Sequence, residues 1–287
     1  MIAVLAAVSP VAANQTVDHS AWDGLLRRVV SGGLVDYAGL KQERGILERY
    51  LKQLGGADPA QLGSREEQLA FWINAYNVCV FTGVLERYPL QSVKQIKGFF
   101  DGIRYQVAGQ ARTLNEIEAA GRALGDWRIH FAVVCASSSC PPLRSEAYVP
   151  DRLDAQLTEQ TRNFLRDAQR GLRVDPSTRA TASGRGPLLG VVPSERSESR
   201  DDEVGPRALP VGTHGATLWV SKIFDWYATD FVPASELGAL RRPTAEKLMQ
   251  VLSPYLSPET LPAAQGRKLG LKFFTYDWSL NERKKRD

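Results

Sequence analysis

The chain has 287 residues, of which 43% are hydrophobic and 24% are charged, a composition ordinary for a globular protein with a sizeable core. Its 36 basic and 32 acidic residues leave a formal net charge of only +4 and are mixed along the chain. Because no long basic face with interleaved aromatic residues is evident, we expect no nucleic-acid partner.

The N-terminus begins with an apolar run at residues 1–8, followed by small residues at positions 11–13. This pattern is typical of an export signal that is cleaved before Asn14, although the run is short and lacks a positive start. We predict that residues 1–13 are a truncated signal peptide and that the protein is periplasmic or secreted; a mature N-terminal strand is the alternative. No other segment approaches the ~20 consecutive apolar residues of a membrane span, so no transmembrane span is expected.

The first part of the chain has helical spacing. The pattern predicts an amphipathic helix from Trp22, a glycine break at 31–33, a short segment at 34–37 and a second helix through Leu51.

Ser64 and Glu67 have the spacing of a capping box and mark the start of a strong helix. Its apolar stripe is too wide for a surface helix, so we expect it to be central and buried, and Pro89 ends it. The apolar residues of the stripe are Leu69, Trp72, Ile73, Tyr76, Val80, Phe81 and Val84.

Two asparagines, Asn74 and Asn77, lie three positions apart on one side of this helix. Buried amides are costly unless they are hydrogen bonded, so both need partners. One interpretation is that they tie the helix to the backbone of a neighbouring loop; the other is that they bind a ligand together with Tyr76.

Four further elements are predicted between residues 98 and 171. In chain order they are a hairpin over 98–114 around Gly109, a helix over 115–124, a strand over 129–135 and a helix from Pro150 to near Gly171.

Segments 172–175 and 217–220 are predicted to pair as two strands of one hairpin, although about forty residues separate them. Within that gap, residues 183–215 are rich in Gly, Pro and Ser and show no period. This stretch is either an insertion that leaves the core unchanged or a lid over the site.

The last part predicts an aromatic helix over 223–231, a helix from Pro243 through Leu252 and a closing strand over 271–276. The whole pattern predicts an α+β fold: a helix-rich single domain with a small, mostly antiparallel sheet packed on a central buried helix. We assign this domain to residues 14–281 and a basic tail to 282–287.

Residues 128–144 gather the side chains with the most reactive chemistry, namely His130, Cys135 and Cys140. A cysteine nucleophile needs a thiolate, and a nearby imidazole can lower its pKa and relay the proton. On an extended strand His130 and Cys135 would face opposite sides and lie roughly 16 Å apart, which excludes them as a dyad. Cys140 lies beyond a turn and could fold back toward His130, or His130 could serve a group of the capped helix such as Glu67.

The cysteines also allow a structural interpretation. Four residues separate Cys135 from Cys140, a loop short enough for a disulfide, which is the default in an oxidising compartment. Cys79, on an apolar helical stretch, is expected to be a buried hydrophobe. The spacing of His130, Cys135 and Cys140 differs from that of structural zinc ligands, so we expect no metal. No phosphate-binding loop or dinucleotide-binding motif occurs, so we expect no cofactor.

Several blocks of this chain resemble those of the bacterial and plant family known as domain of unknown function 547 (DUF547), in the same order. The blocks are GLVDY at 33–37, QLAFWINAYN at 68–77, LNEIE at 114–118, RIHF at 128–131, CASSSCPPL at 135–143, EAY at 146–148, SKIFDWY at 221–227 and YDWS at 276–279. The resemblance implies a shared fold and an exported character. A helix followed by a strand with His is also similar to papain-like and transglutaminase-like thiol enzymes, but no cysteine starts this helix.

Two functions follow as hypotheses. In the first, the protein is an exported thiol-dependent hydrolase or acyl transferase acting on peptide or amide bonds, with Cys140 as nucleophile, His130 as base and Glu67 as a further catalytic carboxylate. In the second, it is a non-enzymatic exported module with a structural Cys135–Cys140 disulfide that binds a small-molecule or peptide ligand. The residues expected to contact the ligand or orient it are Asn74, Asn77, Tyr76, Cys135 and Arg144.

Overall fold

The computed structural model describes residues 16–176, 215–261 and 269–284. The predicted signal peptide and residues 183–214 of the predicted insertion lie outside these ranges. The helices are α1 Ser20–Val29, α2 Tyr37–Gln42, α3 Arg44–Gly56, α4 Arg65–Leu85, α5 Leu114–Arg122, α6 Leu153–Leu165, α7 Ile223–Trp226, α8 Ala228–Phe231 and α9 Ala245–Leu252. The strands are β1 Val30–Ser31, β2 Leu34–Val35, β3 Tyr105–Val107, β4 Gln110–Arg112, β5 Leu172–Pro176, β6 Ala216–Val220 and β7 Leu269–Phe273. The predicted α+β fold is confirmed.

Helix α4 is central to the larger core. The predicted capping box is present: the Ser64 hydroxyl accepts from the Glu67 amide, and the Glu67 carboxylate accepts from the Ser64 amide. From Leu69 to Leu85 almost every side chain is buried, against α2, α3 and α5. Within the described ranges α4 is the one helix long and apolar enough to cross a membrane, and 89% of its most apolar window is buried inside the fold.

The β-structure consists of two short hairpins and one three-stranded sheet. β1 pairs with β2 and β3 with β4, and the turn of the second hairpin uses left-handed backbone at Ala108 and Gly109, with φ of 56° and 69°. The predicted pairing of β5 with β6 is confirmed as antiparallel, with Leu172 opposite Val220. β7 then adds in parallel to β6.

The three-stranded sheet belongs to a second apolar core. Its inward side chains, such as Leu218, pack with Phe131, Phe164 and Phe224 rather than with the core around α4, on which the sheet was predicted to pack. The two cores meet along the segment that follows α5, because Ile129 packs in the first and Phe131 in the second. The chemically interesting residues lie on that same segment.

The strand predicted over 129–135 was wrong. Residues Trp127–Phe131 form a 3-10 helix instead, capped by the Asp126 carboxylate on the Arg128 amide, and irregular backbone follows. The backbone of this segment needs no sheet partner, because the Asn77 amide donates to the carbonyl of Ala132 and accepts from the amide of Val134. His130 and Cys135 are therefore not held on opposite faces of an extended strand.

Three smaller differences concern the later elements. The predicted aromatic helix is divided into α7 and α8 at Tyr227, whose φ of −114° and ψ of 32° leave helical geometry. Pro243 precedes the Thr244 cap of α9 rather than lying in its first turn. The segment predicted as a solvated basic tail begins in contact with the fold, since the Arg283 amide donates to the Val35 carbonyl and its guanidinium to Asp36.

Candidate functional site

A cavity of about 270 Å³ opens where α4, α5, the 3-10 helix, α7–α8 and the C-terminal segment meet. One part of its wall is aromatic and another carries polar groups that are far apart in sequence. The aromatic side chains are Tyr76, Phe100, Trp226, Tyr227, Tyr276 and Trp278. A concave, largely apolar space with a few convergent polar groups is the usual form of a small-molecule site.

His130 is a buried polar residue of the cavity wall, with a side chain that is 1% exposed. Its Nε2 lies 2.8 Å from Oδ2 of Asp230, and its ring stacks on Tyr227 with centroids 4.1 Å apart. Because an ionised carboxylate can only accept, Nε2 carries a proton and donates it to Asp230. Nδ1, the second ring nitrogen, lies 3.8 Å from Oε1 of Glu118.

Asp230 is itself held by Arg122. The guanidinium donates through Nε at 2.7 Å and Nη2 at 2.9 Å to the two carboxylate oxygens, the bidentate geometry that gives strong charge-assisted hydrogen bonds. Although burial by itself raises the pKa of Asp230, the hydrogen bonds from His130 and Arg122 outweigh it and hold that pKa well below its usual value. Asp230 is thus a fixed negative partner for the imidazole.

Glu118 projects from α5 into the same region, and its side chain is only 9% exposed. Tyr227, whose ring lies against His130, lines the cavity beside this carboxyl group. Burial, followed by the negative charge of Glu118, raises the pKa of Tyr227 well above its usual value, so the phenol stays a neutral donor. The Oε1 atom of Glu118 is buried and has no hydrogen-bond partner.

The two sulfur atoms form another part of the cavity wall. Cys135 and Cys140 are paired as a disulfide, with Cα atoms 6.4 Å apart. The turn between them includes Ala136 in left-handed backbone, with φ of 61°. The Tyr276 hydroxyl donates to Sγ of Cys140 at 3.3 Å and accepts from the Ser137 hydroxyl at 3.1 Å, and burial raises its pKa to about 12.

The C-terminal segment is paired with the disulfide loop along its backbone. The amides of Ser138 and Ser139 donate to the carbonyls of Ser279 and Asp277, and the amide of Asn281 donates to Ala136. These bonds place the side chains of the 276–279 block over the cavity. The disulfide loop is therefore the support on which part of the aromatic wall rests.

Four of the residues predicted from sequence line this cavity: Tyr76, His130, Cys135 and Cys140. The expectation that His130 and Cys135 face opposite sides was wrong, because the chain between them is not extended. Among the described residues no hydrogen bond joins His130 to Cys140, whose sulfur accepts from the Cys135 amide and from Tyr276. The thiol–imidazole pair is not assembled in this oxidised form.

The side chains of the two asparagines make hydrogen bonds to backbone groups of neighbouring loops. Asn74 donates to the carbonyl of Tyr148 at 2.8 Å and accepts from its amide at 3.1 Å, while Asn77 bridges the 132–134 backbone in the same two-way manner. Their side-chain oxygens and nitrogens thus have partners inside the protein. This arrangement corresponds to the first of the two interpretations, in which they tie α4 to neighbouring loops.

Glu67 and Arg144 lie away from the cavity. The Glu67 carboxylate is used in the capping box of α4 and borders a separate surface depression that includes Ser64. Arg144 is paired with the carboxylates of Glu146 and Glu159. The pairing of His130 with Glu67 considered from the sequence is not present; the carboxylates near His130 are Asp230 and Glu118 instead.

The sequence analysis missed several residues that line the cavity and two, Arg122 and Asp230, that hold His130 in place. The missed residues are Glu118, Arg122, Trp226, Tyr227, Asp230, Tyr276 and Trp278. The family-like blocks were the available signal, since LNEIE ends at Glu118, SKIFDWY ends at Tyr227 and YDWS begins at Tyr276. In the described part of the chain no three His, Cys, Asp or Glu side chains cluster as a metal site would require.

Residues 59–165 match the model of a family described as "Protein of unknown function, DUF547". This match confirms the family resemblance over five of the eight sequence blocks, those between residues 68 and 148, and covers α4, α5, the 3-10 helix and the disulfide loop. No curated protein and no solved structure matches the chain. The similarity to papain-like enzymes has no such support, because its histidine-bearing strand is a 3-10 helix here.

Proposed function

We propose that the cavity binds a small-molecule or peptide ligand and that His130 performs acid–base chemistry on it, as in a hydrolase or acyl transferase of amide or ester bonds. The observation that carries the proposal is the placement of a buried imidazole, oriented by Asp230, beside the carboxyl of Glu118 on one cavity wall. An imidazole and a carboxyl group that line the same cavity can remove a proton from one group of a bound ligand or water and donate a proton to another.

The roles follow from the hydrogen bonds. Because Nε2 of His130 donates to Asp230, Nδ1 is the nitrogen left to exchange a proton. In the proposed hydrolysis, Nδ1 removes a proton from a water molecule whose oxygen attacks the ligand carbonyl. The same proton then passes to the leaving amine or alcohol as the carbonyl–heteroatom bond breaks. Arg122 and Asp230 act as positioning residues, since they hold the ring rather than touch the ligand.

The thiol-dependent hydrolase is a second candidate, with Cys140 as nucleophile after reduction. It is favoured by one observation, that both sulfurs line the same cavity as His130. Pairing of Cys140 with Cys135 counts against it, because a disulfide sulfur is not a thiolate nucleophile. The non-enzymatic binding module is the remaining alternative, in which the same cavity holds a ligand without turnover.

One experiment separates the three. The oxidised and the reduced protein are assayed on p-nitrophenyl esters and amino acid p-nitroanilides, together with His130→Gln and Cys140→Ser. For acid–base catalysis we expect turnover by the oxidised protein and a loss of about 100-fold or more in kcat in His130→Gln. Cys140→Ser should retain its kcat, although its KM should rise because the disulfide that supports the aromatic wall is open. Glu67→Gln is the matched control, with unchanged turnover.

Other outcomes contradict the proposal. Activity that requires reduction and disappears in Cys140→Ser, together with iodoacetamide labelling of that cysteine, would establish the thiol mechanism instead. Full activity in His130→Gln would exclude this imidazole as the base. No turnover in either redox state would favour the binding module.

We further propose that the protein is exported to the periplasm or secreted. The proposal is supported by the apolar N-terminal sequence and by the cysteine pair, since disulfides persist in oxidising compartments. Mass spectrometry of the untreated mature protein should show a start at Asn14 and a mass two hydrogens below that of the reduced form. A retained residue 1, or free thiols in the untreated protein, would contradict it.

A further inference from the structure

The unpartnered oxygen of Glu118 is the feature of the cavity that points to a ligand class. Its side chain is 9% exposed, Oε1 is fully buried, and no hydrogen bond reaches this atom. Buried carboxylate oxygens normally accept from at least one donor, because removing them from water without a partner is costly. Glu118 also lines the cavity, so a ligand bound there can bring a donor to its carboxyl group.

The cations of the surrounding residues are engaged elsewhere. Arg122 directs Nε and Nη2 to Asp230, and Arg170 donates to Asp167 and to the carbonyls of the disulfide loop. His130 Nδ1, at 3.8 Å, is beyond hydrogen-bond length from Oε1. Within the described ranges, no cation makes a hydrogen bond to Oε1 of Glu118.

The other side of the cavity is a continuous aromatic surface. The ring centroids of Tyr276 and Trp278 are 4.7 Å apart, and Trp226 lies 4.8 Å from Tyr276 and 6.0 Å from Trp278. Because the three rings contact one another, they form one aromatic surface and do not surround a space between them. Trp226 is 48% exposed, which is high for a side chain of its size. Such a wall attracts apolar groups and the carbon stem of a cation.

We infer that the ligand is an organic cation, a protonated primary or secondary amine whose N–H donates to Glu118 and whose apolar body lies on the Trp226–Tyr276–Trp278 wall. This inference rests on the proposed function, because it names the substrate class of the same cavity. An ammonium with N–H groups supplies both a positive charge and a hydrogen-bond donor to the Glu118 carboxylate. A quaternary ammonium supplies only the charge, and a neutral alcohol supplies only the donor.

The test uses four probes of similar shape: phenethylamine, 2-phenylethanol, 3-phenylpropionate and phenethyltrimethylammonium. Titrations of the oxidised protein at pH 7 are followed by tryptophan fluorescence, because two residues of the wall are tryptophans, and by calorimetry. We expect phenethylamine to bind at least tenfold more tightly than the alcohol, with the quaternary probe in between and the carboxylate weakest.

Glu118→Gln should remove this order and leave the amine and the alcohol within about threefold of each other. Glu66→Gln, which neutralises an exposed carboxylate at the start of α4, is the matched control and should keep the tenfold preference. The comparison of probes on the unaltered protein does not depend on any variant, so it tests the inference even if Glu118→Gln folds poorly.

The outcomes distinguish this inference from the proposed function. Equal affinity for amine and alcohol in the unaltered protein, with Glu118→Gln indifferent, would overturn the cation inference while leaving a ligand cavity in place. Tighter binding of the alcohol than of the amine would likewise overturn it in favour of a neutral ligand. Binding of none of the probes, together with no His130-dependent turnover, would overturn both.

Discussion

Asp230→Asn is the substitution that tests the structural basis of the site most directly. The carboxylate receives three charge-assisted hydrogen bonds, two from Arg122 and one from His130, and its side chain is 22% exposed. Breaking a fully buried pair costs about 3–5 kcal/mol. Asparagine keeps one acceptor oxygen and the site is partly open, so we expect the free energy of unfolding to fall by about 2 kcal/mol at pH 7.

The same substitution has a defined pH dependence. Because the folded-state pKa of Asp230 is lowered, its contribution is complete above the unfolded value of about 3.9 and is lost as the pH falls toward the folded value. Asp230→Asn lacks the titrating group at every pH. The stability gap between the two proteins should be constant above about pH 5 and narrow in acid by up to about 1.4 kcal/mol per pH unit.

Urea unfolding followed by circular dichroism at pH 7, 5, 3.5 and 2.5 measures the gap. Asp175→Asn serves as a control, because Asp175 pairs with Arg173 on the exposed surface and its loss should leave stability unchanged. A gap that is equally large at pH 2.5, or no gap at pH 7, would refute the argument that Asp230 is stabilised as a carboxylate.

Three further predictions concern stability. The Cys135→Ser/Cys140→Ser double variant should be about 2 kcal/mol less stable than the oxidised wild type, and the difference should disappear when the wild type is reduced. Ser64→Ala should cost about 1 kcal/mol in urea unfolding and leave ligand binding unchanged, since its cap lies outside the cavity. Gly83→Ala should lower the unfolding free energy by about 1–3 kcal/mol, because a methyl group there overlaps the Tyr105 hydroxyl; a variant as stable as wild type would contradict the packing.

Local signals in the sequence were enough for the elements that local physics determines. The capping box at Ser64 and the wide apolar stripe of α4 act within a few residues, so the helix and its burial could be predicted. The pairing of β5 with β6 followed from two short alternating segments, in spite of the long stretch between them. The capping box and the stripe are local signals, whereas the strand pairing was predicted from two separate segments of matching pattern.

Tertiary hydrogen bonds explain why the 129–135 segment was mispredicted. Its composition favours a strand, but the two-way hydrogen bonds of Asn77 satisfy backbone groups that would otherwise need a sheet. A residue on one helix thus decides the conformation of a segment more than fifty positions away. Single-sequence patterns contain no information on such a pair.

The carboxylates of the site were missed for a related reason. Glu118 lies on an amphipathic helix, where an acid is typical of a solvated face, and it becomes buried only because other segments cover it. Asp230 lies 100 positions after His130 and contacts it only in the fold. The sequence could thus indicate His130 as a candidate but not which acid orients it.

The position of the disulfide also changes how the two cysteines should be weighed as catalytic candidates. Cysteines beside a histidine suggest a nucleophile, yet here the loop between them holds the backbone of the C-terminal segment through Ala136, Ser138 and Ser139. That segment supplies Tyr276 and Trp278 to the cavity. The cysteines therefore contribute to the site by supporting its aromatic wall even if neither thiol reacts. If this is correct, opening the disulfide weakens the binding of uncharged 2-phenylethanol as well as that of phenethylamine, whereas loss of Glu118 affects the amine alone.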